Sequence, residues 1–295
     1  MSTILFDFNN LAFRTVFVKD VGITTPEPDF QVWKYMMVNS IYESLYKIDN
    51  PSEVILAIDD TQSWRSVYFP RYKERRKVQR AKQEDVDWQQ MFRVLREFTQ
   101  EIQEHLPFKT LQLLKCEADD IIGVLCLDII KDKKYIISND EDFLQLCSKD
   151  TFLYNPRKKE YVVCKDPEMF IIEKSLLGQA KDDIFNVITP SDWGKTPETE
   201  GKRKPGYGPA ALKKTMAYGW EKWLEEKGLE GNFRRNRILM DFNYIPNTIR
   251  SNIKKAYESY SLPDSDNIYK FFSNNKLRSF LEDFTFVERK LMELY

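Results

Sequence analysis

Three short apolar runs in this chain each lead into an aspartate: Ile4-Leu5-Phe6 into Asp7, Val54 to Ile58 into Asp59, and Ile136-Ile137-Ser138-Asn139 into Asp140. Runs of this length and composition read as buried strands at 3–6, 53–58, 109–114 and 135–138. Between them, apolar residues recur at helical spacing over 32–46, 88–102 and 118–130, as with Trp88, Phe92, Leu95, Phe98 and Ile102. Strands alternating with helices predict an α/β chain with a mostly parallel central sheet flanked by helices. The carboxyl ends of such strands share one crevice, so the three aspartates should meet there.

The rest of the chain reads differently. Two alternating runs in 151–164 flank Asn155-Pro156-Arg157-Lys158-Lys159 and suggest a hairpin beside the sheet. Beyond about residue 165 the pattern becomes helical, giving domains 1–165 and 166–295. A loop rich in Pro, Gly, Thr and Lys covers 189–207, followed by helical patterns over 209–226 and 232–239. No apolar stretch approaches the roughly 20 residues of a bilayer span, which argues against a membrane partner. The four cysteines have no CxxC spacing and His105 is the single histidine, which excludes zinc knuckles and two-His metal sites. A reducing cytoplasm fits that cysteine usage. Acid chemistry is left to carboxylates.

Carboxylates are plentiful at the expected rim. Asp142 follows Asp140, and Glu117, Asp119 and Asp120 open the helix after the third strand; Asp182 and Asp183 form a later pair. Any one of them is explained equally well as a turn former or helix cap. Together they would repel each other unless a cation neutralised them. All-oxygen ligation suits Mg²⁺, with Mn²⁺ as a substitute, and two such ions serve phosphodiester hydrolysis.

Two segments are strongly basic. Residues 65–82 hold Arg65, Arg71, Lys73, Arg75, Arg76, Lys77, Arg80 and Lys82 against Glu74 alone, interleaved with Tyr68, Phe69 and Tyr72. A one-sign run with aromatics suits phosphates and base stacking, and it begins near enough to Asp59 to overhang the crevice. An exposed charged helix is the plainer alternative. Residues 195–214 hold Lys195, Lys202, Arg203, Lys204, Lys213 and Lys214 against two glutamates. Within them Gly206-Tyr207-Gly208-Pro209 precedes a helix start, where exposed amides bind phosphate, though an ordinary tight turn explains the glycines as well. The overall net charge of −1 conceals both segments.

Taken in order, Ile4-Leu5-Phe6-Asp7, Ala57-Ile58-Asp59 with Trp64-Arg65 and Tyr72-Lys73, Glu117-Ala118-Asp119-Asp120, Ser138-Asn139-Asp140-Glu141-Asp142-Phe143, Gly178 through Asp182-Asp183, and Asp241 to Pro246 with Ser251-Asn252-Ile253 resemble the 5′-nuclease (flap endonuclease) superfamily, in its T-even bacteriophage ribonuclease H type. The resemblance spans nearly the whole chain. It implies a PIN-like core with a helical arch at about 65–95 and a C-terminal helix-hairpin-helix-type region that grips duplex DNA. By motif position Asp7, Asp59, Glu117, Asp119 and Asp120 would serve one metal ion and Asp140, Asp142 and Asp182 a second, with Asp183 compensating where the family pattern has an acid and this chain has Gln179. Lys73 and Arg76 would be the arch cations beside the scissile phosphate. Arg65, Arg71, Tyr72, Arg75, Lys77, Arg80, Lys204, Gly206, Gly208, Lys213 and Lys214 would contact nucleic acid.

The implied activity is Mg²⁺-dependent 5′→3′ cleavage of flapped or nicked duplex DNA and RNA–DNA hybrid, removing RNA primers in lagging-strand replication. A monomer in the host-cell cytoplasm is expected. The rival reading is a DNA-binding replication accessory of the same fold that has lost turnover, which Gln179 permits. A phosphatase with an Asp nucleophile wants a second Asp two residues after the first, and Phe8-Asn9 follows Asp7 instead. The aromatic stretch from Ile268 to Phe286 reads as core of the helical part, with docking of a single-strand-binding protein or sliding clamp as the alternative.

Overall fold

The computed structural model describes residues 1–16, 30–76 and 87–295. The chain runs through β1 (Ser2–Asp7), α1 (Phe8–Val16), α2 (Phe30–Lys47), β2 (Pro51–Ile58), α3 (Trp64–Tyr68), α4 (Trp88–His105), β3 (Lys109–Gln112), α5 (Ala118–Val124), β4 (Lys133–Ile137), β5 (Thr151–Asn155) and β6 (Glu160–Val162). Helices follow: α6 (Pro167–Leu177), α7 (Pro209–Tyr218), α8 (Trp220–Lys227), α9 (Glu230–Met240), α10 (Asn247–Glu258), α11 (Ile268–Asn274), α12 (Arg278–Glu282) and α13 (Phe284–Met292). These elements gather into two compact units, one holding 63–76 and 164–246, the other holding the remaining described residues.

The first unit is built on a six-stranded sheet in the order β3-β2-β1-β4-β5-β6. β1 to β5 run parallel and β6 is antiparallel to β5. All six residues of β1 are buried, as a strand with neighbours on both edges and helices on both faces requires. Leu5 lies level with Ile55 on one side and Ile136 on the other, so β1, β2 and β4 end at one rim. The chain order turns back between β1 and β4, the switch point at which open parallel sheets bind their ligands.

Helical periodicity fixes which faces are buried. α2 presents Trp33, Met37, Ile41 and Leu45, and α4 presents Met91, Leu95, Phe98 and Ile102, each set spaced about one turn apart. The Trp33 indole donates to the Ala12 carbonyl at 3.0 Å, which joins α2 to α1 without an orphaned buried donor. Phe271, Phe272, Phe280, Val287 and Leu291 enter the same core. Phe271 lies 5.7 Å from Phe98 and Phe280 lies 5.5 Å from Tyr42, centroid to centroid. The C-terminal aromatic stretch is therefore core, but core of the α/β unit. For that reason the units differ from the contiguous halves 1–165 and 166–295: residues 247–295 return to the sheet, and 63–76 leave it.

The second unit packs Phe69, Tyr72, Ile171, Ile184, Phe185, Leu239 and Met240 together, beside a cluster of Ile172, Leu176, Val187, Tyr207, Leu212 and Leu224. The helix expected over 209–226 is two helices, because Gly219 takes φ +98° and breaks it. The helix expected over 118–130 ends as α5 at Val124 and continues as a π-helical turn, Leu125–Ile129. The hairpin of 151–164 forms as expected and joins the edge of the sheet: β5 extends it in parallel and β6 closes it in antiparallel. No helix among the described residues is long and apolar enough to cross a membrane.

Candidate metal centre and nucleic-acid interface

At the rim of the first unit several of the acids are held by local amides. Asp7 caps α1, its Oδ1 accepting from the Asn10 amide at 2.9 Å and its Oδ2 from the Ser138 hydroxyl at 3.3 Å. Asp59 Oδ1 accepts from the Ala118 amide at 2.7 Å, at the first turn of α5. Glu117 and Asp120 form a reciprocal capping box, with Asp120 Oδ2 on the Glu117 amide at 3.0 Å. Asp140 caps the short turn Glu141–Leu146 through the Asp142 amide at 3.0 Å. Cap and ligand are thus not rival readings. An oxygen that satisfies an orphan amide also fixes the carboxylate that carries it, so capping and ligation draw on the same placement.

The neighbours are other acids. Carboxylate oxygens of Asp119, Asp140 and Asp142 all lie within 4.8 Å of one another. Burial above all, then the charges of Asp59 and Asp140, push Asp7 up to about 7, although Asn10 and Ser138 pull it partly back. Burial lowers the Arg14 guanidinium, and Asp7 pulls it partly back up. The rim therefore combines Asp7, Asp59, Asp119, Asp140 and Asp142, with buried Glu117 behind. Asp120 is fully buried and committed to the capping box, so it lies beneath the rim and not on it. Hard oxygen donors, mutual repulsion and partial burial fit a divalent cation of the Mg²⁺ or Mn²⁺ kind.

Sequence reasoning passed over the residues that brace this rim. Asn9, buried in the first turn of α1, accepts from the Asp59 amide at 2.9 Å, and Ser138 Oγ accepts from the Asp140 amide at 3.1 Å while donating to Asp7. The signal available was two consecutive asparagines, Asn9 and Asn10, one residue beyond a strand-end aspartate, a polar pair where a helix would ordinarily bury apolar residues.

In the second unit the two basic segments converge. The Arg71 guanidinium lies 5.3 Å and the Lys204 ammonium 4.5 Å from the Phe185 ring centre. Lys204 is lowered by burial and by the charges of Arg75 and Arg71, with Asp183 opposing. Lys73 carries φ +55°, its amide donating to the Asp182 carbonyl at 2.9 Å and its ammonium 4.9 Å over Tyr72. Arg76 is ion-paired with Asp182 and Arg75 with Asp183. Lys213 and Lys214 are exposed on α7, Gly206 is exposed, and Gly208 is the N-cap of that helix, with no side-chain cap. Lys77 and Arg80 lie outside the described residues.

Two expected nucleic-acid contacts are corrected. Arg65 is 2% exposed, donates from Nε to the Leu239 carbonyl at 2.7 Å and stacks 4.6 Å over Trp64, so its charge holds α3 to the end of α9. Tyr72 is 8% exposed inside the Phe69–Phe185 cluster and has no open face for a base, whereas Tyr68 is 48% exposed. Asp182 and Asp183 do not lie open as a carboxylate pair either, since arginines neutralise both.

The sequence matches the family described as 5′-3′ exonuclease, N-terminal resolvase-like domain, over residues 2–174, and T4 RNase H, C terminal, over residues 165–286. It is 30% identical over 280 residues to the ribonuclease H of Enterobacteria phage T4, covering 91% of this chain and 90% of that one. It is 29% identical over 164 residues to a 5′-3′ exonuclease of Buchnera aphidicola subsp. Schizaphis graminum (strain Sg), covering 52% and 54%. Among solved structures, T5 5′-exonuclease with bound divalent zinc ions superposes with a TM-score of 0.60 at 18% identity, covering 93% of this chain and 98% of that one. A bacteriophage T5 flap endonuclease in a complex with DNA and metal ions superposes at 0.57 with 19% identity and the same coverage, 93% and 98%. At that level of identity these structures establish a shared fold.

Proposed function

We infer that this chain, which belongs to the 5′-3′ exonuclease family, is a Mg²⁺-dependent 5′→3′ nuclease acting at 5′ ends and flaps of DNA and RNA–DNA duplexes and removing RNA primers during lagging-strand replication. The observation that carries this reading is the gathering of carboxylates at the switch point of the sheet, with Asp7 driven up to about 7 by burial and its acidic neighbours. A bound pair of Mg²⁺ ions supplies neutralisation of that cluster and of the charge that develops on a phosphodiester as it is cleaved. The chain contributes carboxylates already fixed in place. Asn10 and Ser138 hold Asp7, Ala118 holds Asp59, and Asp142 holds Asp140, so little reorganisation is needed when the cations enter.

To Lys73 and Arg76 we assign the steadying of the scissile phosphate, and to Arg71, Arg75, Lys204, Lys213, Lys214 and the amides after Gly206 and Gly208 the nucleic-acid backbone. The likeness to a protein named ribonuclease H supports the RNA-containing substrate, and the fold neighbour in complex with DNA supports DNA. The test is a 5′-labelled flap incubated with and without Mg²⁺. Shortening that depends on the ion is expected. A shifted but intact substrate would instead identify a DNA-binding accessory without turnover, the reading that Gln179 permits.

A further inference from the structure

Outside the rim, one cluster in the second unit contains a carboxylate, Asp183, that the proposed activity leaves without a role. It joins the segment Lys73–Arg76 to the turn Gln179–Ile184. Asp183 accepts the Arg75 amide on Oδ2 at 2.9 Å and the Arg75 Nε on Oδ1. The Arg75 Nη2 donates to the Ala180 carbonyl at 3.0 Å, and the Lys73 amide donates to the Asp182 carbonyl at 2.9 Å. The turn is closed on itself by reciprocal backbone bonds between Gln179 and Ile184 at 2.9 and 3.0 Å. Lys73 and Asp183 both sit in the left-handed region, at φ +55° and +59°, where residues other than glycine are uncommon and persist only when their surroundings hold them.

We propose that Asp183 is a positioning residue and not a metal ligand: it fastens the backbone and side chain of Arg75 to the 179–184 turn and thereby sets the direction in which Lys73 and Arg76 project. Both of its oxygens are spent on one partner, a bidentate arrangement with geometric specificity, and its charge is neutralised there. The backbone amide of Arg75 is the decisive contact. A side chain pairing only with another side chain could let go without moving the chain, whereas holding the amide fixes residues 73–76 themselves. This inference rests on the assignment of Lys73 and Arg76 to the phosphate.

The test compares Asp183→Gly, which keeps the left-handed backbone and removes the anchor, with Asp183→Asn, which keeps one acceptor oxygen. Asp183→Gly should lower single-turnover kcat on a 5′ flap about tenfold while KM moves less than about threefold, and Asp183→Asn should recover most of the loss. Amide hydrogen exchange at residues 73–76 should quicken in Asp183→Gly. Titration with Mn²⁺ should give the wild-type number of bound ions in both variants. Loss of a bound Mn²⁺ in the two variants would show a ligand and overturn the proposal, as would wild-type exchange and wild-type kcat in Asp183→Gly. Lys73→Ala separates the two layers of the argument. Full turnover in that variant removes the phosphate assignment, while the exchange measurement still decides whether Asp183 anchors the segment.

Discussion

At the rim of the sheet carboxylates face carboxylates, and at the 179–184 turn carboxylates face arginines. Asp7 is raised to about 7 because burial and the charges of Asp59 and Asp140 all disfavour its ionised form. Asp182 and Asp183 are as thoroughly buried, yet each is paired with a guanidinium on the neighbouring segment. The same residue type therefore stores repulsion in one place and relieves it in the other. Repulsion kept in a folded protein is a standing demand for a cation, and a relieved pair is a fastening.

The sharpest way to separate the two regions is substitution by an isosteric amide. Asp140→Asn should reduce flap cleavage by about a thousandfold or more while leaving flap binding in a gel shift intact, since the donor set for the cation is broken. Wild-type turnover would take Asp140 out of the chemistry. Next in size is the turn itself. A Cβ on Gly178, at φ +71°, would lie 2.5 Å from the Phe185 carbonyl carbon and oxygen. Gly178→Ala should destabilise the protein by about 3 kcal/mol in urea unfolding. An unchanged midpoint would mean that the 178–185 backbone relaxes easily, which weakens it as an anchor.

The rim also makes a statement about pH. With its carboxyl raised to about 7, folded Asp7 holds a proton that the unfolded chain releases near pH 4. Below about pH 4 both states are protonated and this group's favourable contribution is complete; it is lost as pH rises through the interval from about 4 to 7. In EDTA, stability from this group should thus fall by on the order of 4 kcal/mol across that interval, and added Mg²⁺ at pH 7.5 should raise the melting temperature. A metal-free stability that climbs steadily over the same range, with no response to Mg²⁺, would contradict repulsion at the rim. Smallest is the effect of the exposed lysines. Lys213→Ala with Lys214→Ala should weaken flap binding several-fold and flatten the slope of log affinity against log salt by about 2. An unchanged slope would remove α7 from the phosphate contacts.

Much of the first unit was legible because its signals are local. Strand-end acids, buried apolar runs and helical periodicity in α2 and α4 need only neighbours in sequence, and they placed Asp7, Asp59 and Asp140 at one end of one sheet. What stayed hidden depends on distant partners. Arg65 reads as a phosphate contact until Leu239 supplies the carbonyl that buries it, and Tyr72 reads as a stacking platform until Phe69 and Phe185 close over it. The short helix α1 has no start signal separate from β1, which it follows with no intervening turn, Asp7 serving as strand end and cap at once. The C-terminal helices read as core of the helical part because nothing in their own pattern names Phe98 as the partner of Phe271. Asp120 and Asp119 are adjacent in sequence, and only the capping box shows which of them turns inward.

The contrast between the two regions is best tested by soaking crystals in Mn²⁺ and locating the ions by their anomalous scattering. Peaks ligated by Asp119, Asp140 and Asp142, with Asp183 still on Arg75, are the expected result. An empty rim, or an ion held by Asp183 in place of Arg75, would contradict the account.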